Sequence, residues 1–211
     1  MQNSQKYTLA TAVFVAGYLA ANILGTKITT ILGVSMSVGV FAYPLTFMIT
    51  DAVSEVYGKQ KAKQIVWAAV LAQIFVLILI YISIKMPASE RYVLNAQYTT
   101  IFSGSLRMII ASLIAFIISQ THDIWAFEFW KKKTKGKYLW LRNNLSTYVS
   151  QAIDTLLFMF IAFYGISAKF DTAFILQLSL SYWLIKIIFA TLDTPLVYLL
   201  VYWFKKDKKT N

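Results

Sequence analysis

Between Ile65 and Ile84 the chain carries no charged side chain. As a helix at 1.5 Å per residue, such a stretch is about 30 Å long, the thickness of a bilayer's hydrocarbon core. Other apolar segments of similar length flank it, so the feature is a pattern. Of 211 residues 58% are hydrophobic and only 14% charged, with a mean hydropathy of +0.61. A soluble domain of this size needs far more polar surface to cover its core. The chain therefore reads as an all-α polytopic membrane protein. One domain over residues 1–211 is expected, with six transmembrane helices near 7–24, 37–57, 65–84, 101–125, 141–165 and 173–204.

The same residues exclude several kinds of chemistry. Cysteine is absent, so there is no disulfide framework, thiolate metal site or cysteine nucleophile, and His122 is the lone histidine. No nucleophile–base pair, metal cluster or Gly-rich phosphate loop stands out, so neither an enzyme nor an ATP-hydrolysing subunit is expected, and no cofactor is called for. The net charge of +11 would suggest nucleic acid in a soluble protein. Here it follows topology. With an N-terminus inside and six spans, 14 of the 20 basic residues fall on cytoplasmic segments: Lys6, Lys59, Lys61, Lys63, the five lysines from Lys131 to Lys137, Arg142 and four C-terminal lysines. Only Lys27, Lys85, Arg91 and Lys169 fall outside. That asymmetry is the positive-inside signature of a multi-pass membrane protein with both termini cytoplasmic. The Trp125, Trp130 and Trp140 rings beside the basic run belong at a membrane–water interface, so no nucleic-acid partner is expected.

Ionisable residues inside spans are costly and gather around a polar interior. The stretch Tyr43–Lys59, YPLTFMITDAVSEVYGK, places Asp51 and Glu55 four residues apart, on one helical face. The fourth span carries Arg107, Ser112, Ser119, Gln120 and Asp123. The fifth carries a polar stripe of Arg142, Asn143, Ser146, Ser150, Gln151 and Asp154, and the sixth Gln177, Ser181, Lys186 and Asp193 before Pro195. Asp154 and Lys186 each lie about 13 residues into their helices, near mid-membrane. Asp154 is expected to pair with Lys186 or Arg107, while the other groups meet a solute. The third span, without charge, reads as scaffold facing lipid on one side. Ala12, Ala16 and Ala20 form a small-xxx-small stripe on the first span, suited to close helix contact within the bundle or to docking of a partner. Gly25, Gly33 and Gly39 punctuate a polar stretch that would dip partly into the membrane.

The stretches ANILGTK (Ala21–Lys27), YPLTFMITDAVSEVYGK, LWLRNNLSTYVSQAIDT (Leu139–Thr155) and DTPLVY (Asp193–Tyr198) resemble the queuosine-precursor transporter family, also called the vitamin uptake transporter family. The resemblance runs in order along essentially the whole chain. It implies uptake of 7-deazaguanines such as preQ0, preQ1 or queuine, and a fold like the substrate-binding subunits of energy-coupling-factor transporters. The positions matching the family's motifs are Asn22, Lys27, Asp51, Glu55, Arg107, Gln120, Asp123, Arg142, Asn143, Ser146, Gln151, Asp154, Lys186 and Asp193. Among them Asp154 suits the base's N–H and amine edge, Arg107 or Lys186 its opposite side, and Asp51 and Glu55 a gating or coupling role. A stand-alone carrier, with proton coupling through a buried carboxylate as one version, is expected, and a binding subunit needing a separate ATPase module is the alternative.

Overall fold

The computed structural model describes residues 3–25, 27–31, 34–165 and 170–206. Gly33, Lys169, Lys208 and Lys209 of the sequence argument lie outside them. Six α-helices make up nearly all of the described chain: α1 (Asn3–Leu24), α2 (Tyr43–Tyr57), α3 (Lys59–Lys85), α4 (Asn95–Lys133), α5 (Leu139–Phe163) and α6 (Thr172–Lys205). Between α1 and α2 stands an antiparallel hairpin of β1 (Ile28–Ile31) and β2 (Val34–Ser37), in which Ile28 pairs with Ser37 and Ile31 with Val34, followed by a 3-10 turn at Val38–Phe41.

Five helices are long and apolar enough to cross a bilayer, α2 being the exception at 15 residues. The sequence predicts a helix over 37–57, but Pro44 in its first turn, where the missing N–H costs nothing, starts α2 six residues later. At the other end of α2, Gly58 takes φ 85°, a left-handed turn that leads directly into α3. Lys59, Lys61 and Lys63 thus lie in the first turns of α3 rather than in a loop. α4 likewise runs past the predicted 125 to Lys133, so part of the basic connection is helical.

The helices are sorted by what they bury. α3 hides Ala62, Ile65, Val66, Ala69, Val70 and Gln73 at helical spacing and exposes Trp67, Leu71 and Phe75 on the opposite face. α5 is arranged inside-out: Arg142, Asn143, Ser146, Thr147, Ser150, Gln151, Asp154 and Thr155 are all buried, while Val149 and Leu156 are exposed. A polar stripe facing inward and an apolar one outward is the arrangement hydrocarbon imposes. An apolar core of Phe14, Tyr18, Phe116 and Phe127 with Ile65 and Ala52 ties α1 to α4 together, and the Tyr18 and Phe116 rings stack at 3.9 Å. Lys6 Nζ donates to the Trp203 carbonyl, which brings the start of α1 and the end of α6 to one end of the bundle. The hairpin lies on the other.

Candidate functional site

The buried polar groups form a column of four levels along the bundle. Nearest the hairpin is a cavity built by α1, the 3-10 turn, the start of α2, α4, α5 and α6. Asn22, Ser37, Tyr43, Asp154, Tyr182 and Lys186 supply its polar groups, and Met108, Phe158 and Met159 its apolar wall. The hairpin is held there by its own polar atoms. Ser37 Oγ donates to the Gly25 carbonyl at 2.7 Å, and the Ser37 N–H donates to the Tyr182 hydroxyl at 3.2 Å.

At the floor of this cavity Lys186 Nζ donates to Asp154 Oδ2 at 2.7 Å. Ser119 Oγ donates to the other Asp154 oxygen at 3.3 Å. The Lys186 ammonium also stands over the Tyr43 ring, 4.9 Å from its centroid, and the Tyr43 hydroxyl hydrogen-bonds Ser112 Oγ at 2.9 Å. Asp154 and Lys186 are both buried, so each is the other's counter-ion. Tyr43 and Lys186 are shared with a second, smaller cavity below, lined by Phe47, Asp51, Asn143, Thr147, Gln151 and Asp193 among others. The ion pair and the Tyr43 ring thus form a partition between two chambers.

Thr147 Oγ1 donates to Asp51 Oδ2 at 3.3 Å on the wall of the second chamber, while Asp123 is buried on α4 with neither carboxyl oxygen hydrogen-bonded. The last level lies at the end where the termini meet. There Glu55 is approached by Lys131 Nζ and Arg142 Nη2, each at 3.1 Å, and by Lys205 Nζ at 3.6 Å. The Arg142 guanidinium is buried against the Phe127 ring at 5.4 Å.

Of the residues singled out in the sequence, Asn22, Asp154 and Lys186 line the upper chamber, and Asp51, Asn143, Gln151, Lys186 and Asp193 the lower one. Glu55 and Arg142 form the terminal ion cluster, and Asp123 is buried on α4 outside both chambers' linings. Gln120 is buried on α4 with its amide lacking a hydrogen-bond partner. Two positions stand apart. Arg107 donates from Nε to the Ile161 carbonyl at 2.9 Å and from Nη2 to the Tyr164 carbonyl at 2.8 Å, capping the end of α5, so Asp154 pairs with Lys186 instead. Lys27 is exposed beside the hairpin, where its carbonyl accepts from the Val38 N–H at 2.9 Å.

Sequence reasoning left Tyr43, Thr147 and Tyr182 unnamed. Tyr182 lies one helical turn before Lys186, so the face carrying the lysine also carries an aromatic ring, and that spacing could have found it. Gln73, buried with both amide atoms unpartnered, breaks the apolar reading of α3.

Residues 37–200 match the family described as "Putative vitamin uptake transporter". A Bacillus subtilis protein named "Probable queuosine precursor transporter" is 30% identical over 199 residues, covering 92% of this chain and 83% of its own. The Escherichia coli "Queuosine precursor transporter" is 26% identical over 134 residues, covering 64% of this chain and 58% of its own. No solved structure matches the chain significantly. A family match over more than three quarters of the sequence, spanning α2 to α5 and most of α6, places this chain in the vitamin uptake transporter family.

Proposed function

We propose that the protein is a carrier that imports queuosine precursors, 7-deazaguanine bases such as preQ0, preQ1 or queuine, across a bacterial cell membrane, with both termini in the cytoplasm and the hairpin outside. The observation that carries this reading is the buried Asp154–Lys186 pair at the floor of a cavity edged by aromatic rings. A deazaguanine presents a ring N–H and an exocyclic amine on one edge, which one carboxylate accepts together, and a carbonyl that takes a donor. Asp154 serves the first edge, Lys186 or Asn22 the second, and Tyr43, Phe158 and Tyr182 offer faces for the flat ring. The substrate replaces the ion pair's own partners, so the partition opens as the solute binds.

The binding-subunit reading has one observation in its favour. Ala12 and Ala16 are exposed on α1 instead of packed inside the bundle, leaving the stripe open to a coupling module. One experiment separates the two. Cells that cannot make queuosine precursors, lacking any energy-coupling ATPase and given this chain alone, should regain queuosine in tRNA when preQ0 or preQ1 is supplied. Rescue only after an ATPase module is added would establish the binding-subunit reading, and no rescue in either background would refute the substrate class.

A further inference from the structure

We propose that the lower chamber is a second binding station on the solute's path and that it holds a protonated alkylamine, so that the carrier favours 7-deazaguanines bearing such an amine over neutral ones. The inference rests on the transport reading above. The atoms of this chamber that lack a hydrogen bond are of one kind. Asp51 Oδ1 on α2, Asn143 Oδ1 and Gln151 Oε1 on α5, and Asp193 Oδ2 on α6 are all buried acceptors without a partner. Asp51, Asn143 and Gln151 are 1%, 3% and 2% exposed, and at that depth an unmade hydrogen bond carries a penalty.

The donors on the same lining are already engaged. The Thr147 hydroxyl donates to Asp51, the Lys186 ammonium donates to Asp154, and the Tyr43 hydroxyl is joined to Ser112. Rotating the Asn143 and Gln151 amides would present nitrogen in place of oxygen, but the two carboxylates offer acceptors in any orientation. A guest that satisfies the chamber therefore brings donors. The charges say where a cation goes. Lys186 is matched by Asp154, and Arg142 is bound to Glu55 at 3.1 Å while its charge also bears on Asp51. Among the described residues Asp193 has no lysine or arginine nitrogen within ion-pair distance. It is the carboxylate left for a cationic group.

The spacing of these groups fits a molecule and not a bare metal ion. Asn143 and Gln151 stand two turns apart on α5, about 12 Å, too far to converge on one ion. Among the described residues no three His, Asp or Glu side chains group as metal ligands. Lys186 and Asp193 are seven residues apart on α6, about 10 Å, so an ammonium held at Asp193 stays clear of the lysine at the roof. A 7-deazaguanine with an aminomethyl group has donors at both ends. Its ring N–H and exocyclic amine suit Asp51 and the amides, and its protonated amine suits Asp193. Phe47 and the Tyr43 ring, which both chambers share, supply the apolar wall for the flat base. A nitrile at the same position brings an acceptor to a carboxylate and is disfavoured.

The test measures uptake by the purified full chain in liposomes of two labelled probes, 7-aminomethyl-7-deazaguanine and 7-cyano-7-deazaguanine. Entry of either establishes transport, and entry of neither would refute the transport reading and this inference together. With transport present, the aminomethyl probe should half-saturate at a concentration about tenfold lower, the effect of one charge-assisted hydrogen bond. Equal half-saturation, or a preference for the nitrile, would overturn the cationic station alone. Asp193→Asn keeps the side chain's shape and removes its charge. It should bring the ratio of the two half-saturating concentrations close to one, a readout that loss of folded protein does not move. A wild-type ratio in that variant would overturn the assignment. If the variant cannot be purified, a Gln151→Cys chain decides. The aminomethyl probe should shield this cysteine from a small thiol reagent at a lower concentration than the nitrile does, and equal shielding by both would overturn the station.

Discussion

Asp154 and Lys186 face each other as a buried ion pair at 2.7 Å. Removing one partner of such a pair leaves a lone buried charge, a loss of about 3–5 kcal/mol, whereas removing both returns much of it. Asp154→Ala should therefore abolish uptake and lower the thermal midpoint in detergent. Asp154→Ala with Lys186→Ala should recover much of the midpoint and none of the uptake. A double variant no more stable than the single one would show that the two residues do not neutralise each other. Tyr43 separates two roles of its own side chain. Tyr43→Phe gives up only the Ser112 hydrogen bond, a loss of about 1 kcal/mol, and should keep most of the affinity. Tyr43→Ala removes the ring, which for a stacked base is a loss of about 1–3 kcal/mol and should raise the half-saturating concentration of a deazaguanine at least several-fold. The sequence made Asp154 and Lys186 legible because an ionisable residue at mid-span has few alternatives to a polar interior. It did not distinguish Arg107, equally within a span, because a long guanidinium stem reaches the carbonyls of Ile161 and Tyr164 and so leaves the cavity wall.

At the scale of elements, the segment between α1 and α2 was the hardest to read. Val38 to Tyr43 is apolar enough to extend a span toward the N-terminus, yet ITTI and VSMS pair as strands and Pro44 fixes where α2 begins. Local preference for a β-hairpin competes there with hydrophobic length, and hydropathy registers only the second. Close packing holds the result in place. A Cβ on Gly39 would come within 2.5 Å of the Ala21 carbonyl oxygen and 3.3 Å of Gly25 Cα. Gly39→Ala should therefore push the 3-10 turn off the end of α1, displacing Val40 and Ser37 from the upper chamber, and reduce both stability and uptake. Gly165, with φ 75° and nothing within 4 Å of an added Cβ, is the matching control. Gly165→Ala carries only the backbone strain, about 1–2 kcal/mol. Thermal unfolding and uptake of the two variants together distinguish a clash against α1 from backbone strain alone. Equal uptake by both would show that the hairpin does not shape the cavity.

Across the whole molecule the polar column is closed at its lower end by one carboxylate and three cations. Lys131 from the end of α4, Arg142 from the start of α5 and Lys205 from the end of α6 all converge on Glu55 near the end of α2. Four helices are tied at one residue, and Lys131 also donates to the Ser54 and Glu55 carbonyls. In the proposed orientation this cluster is the cytoplasmic closure, and α2, which carries both Glu55 and the Asp51 wall of the lower chamber, is the element whose movement would open it. Loss of the Glu55 charge leaves the cations repelling one another. Lys131 and Lys205 have solvent to turn to, so the expected response is separation of the helix ends and not unfolding. The natural absence of cysteine makes this measurable. In a Gln151→Cys background, a membrane-impermeant thiol reagent applied from the cytoplasmic side should label the lower chamber faster when Glu55→Gln is present, by about tenfold if the cluster contributes near 1.4 kcal/mol to closure. Substrate should slow that labelling by occupying the passage. Labelling unaffected by Glu55→Gln would mean that the ion cluster holds the helix ends together without gating the chamber, and closure would then have to come from the Tyr43–Lys186 partition alone.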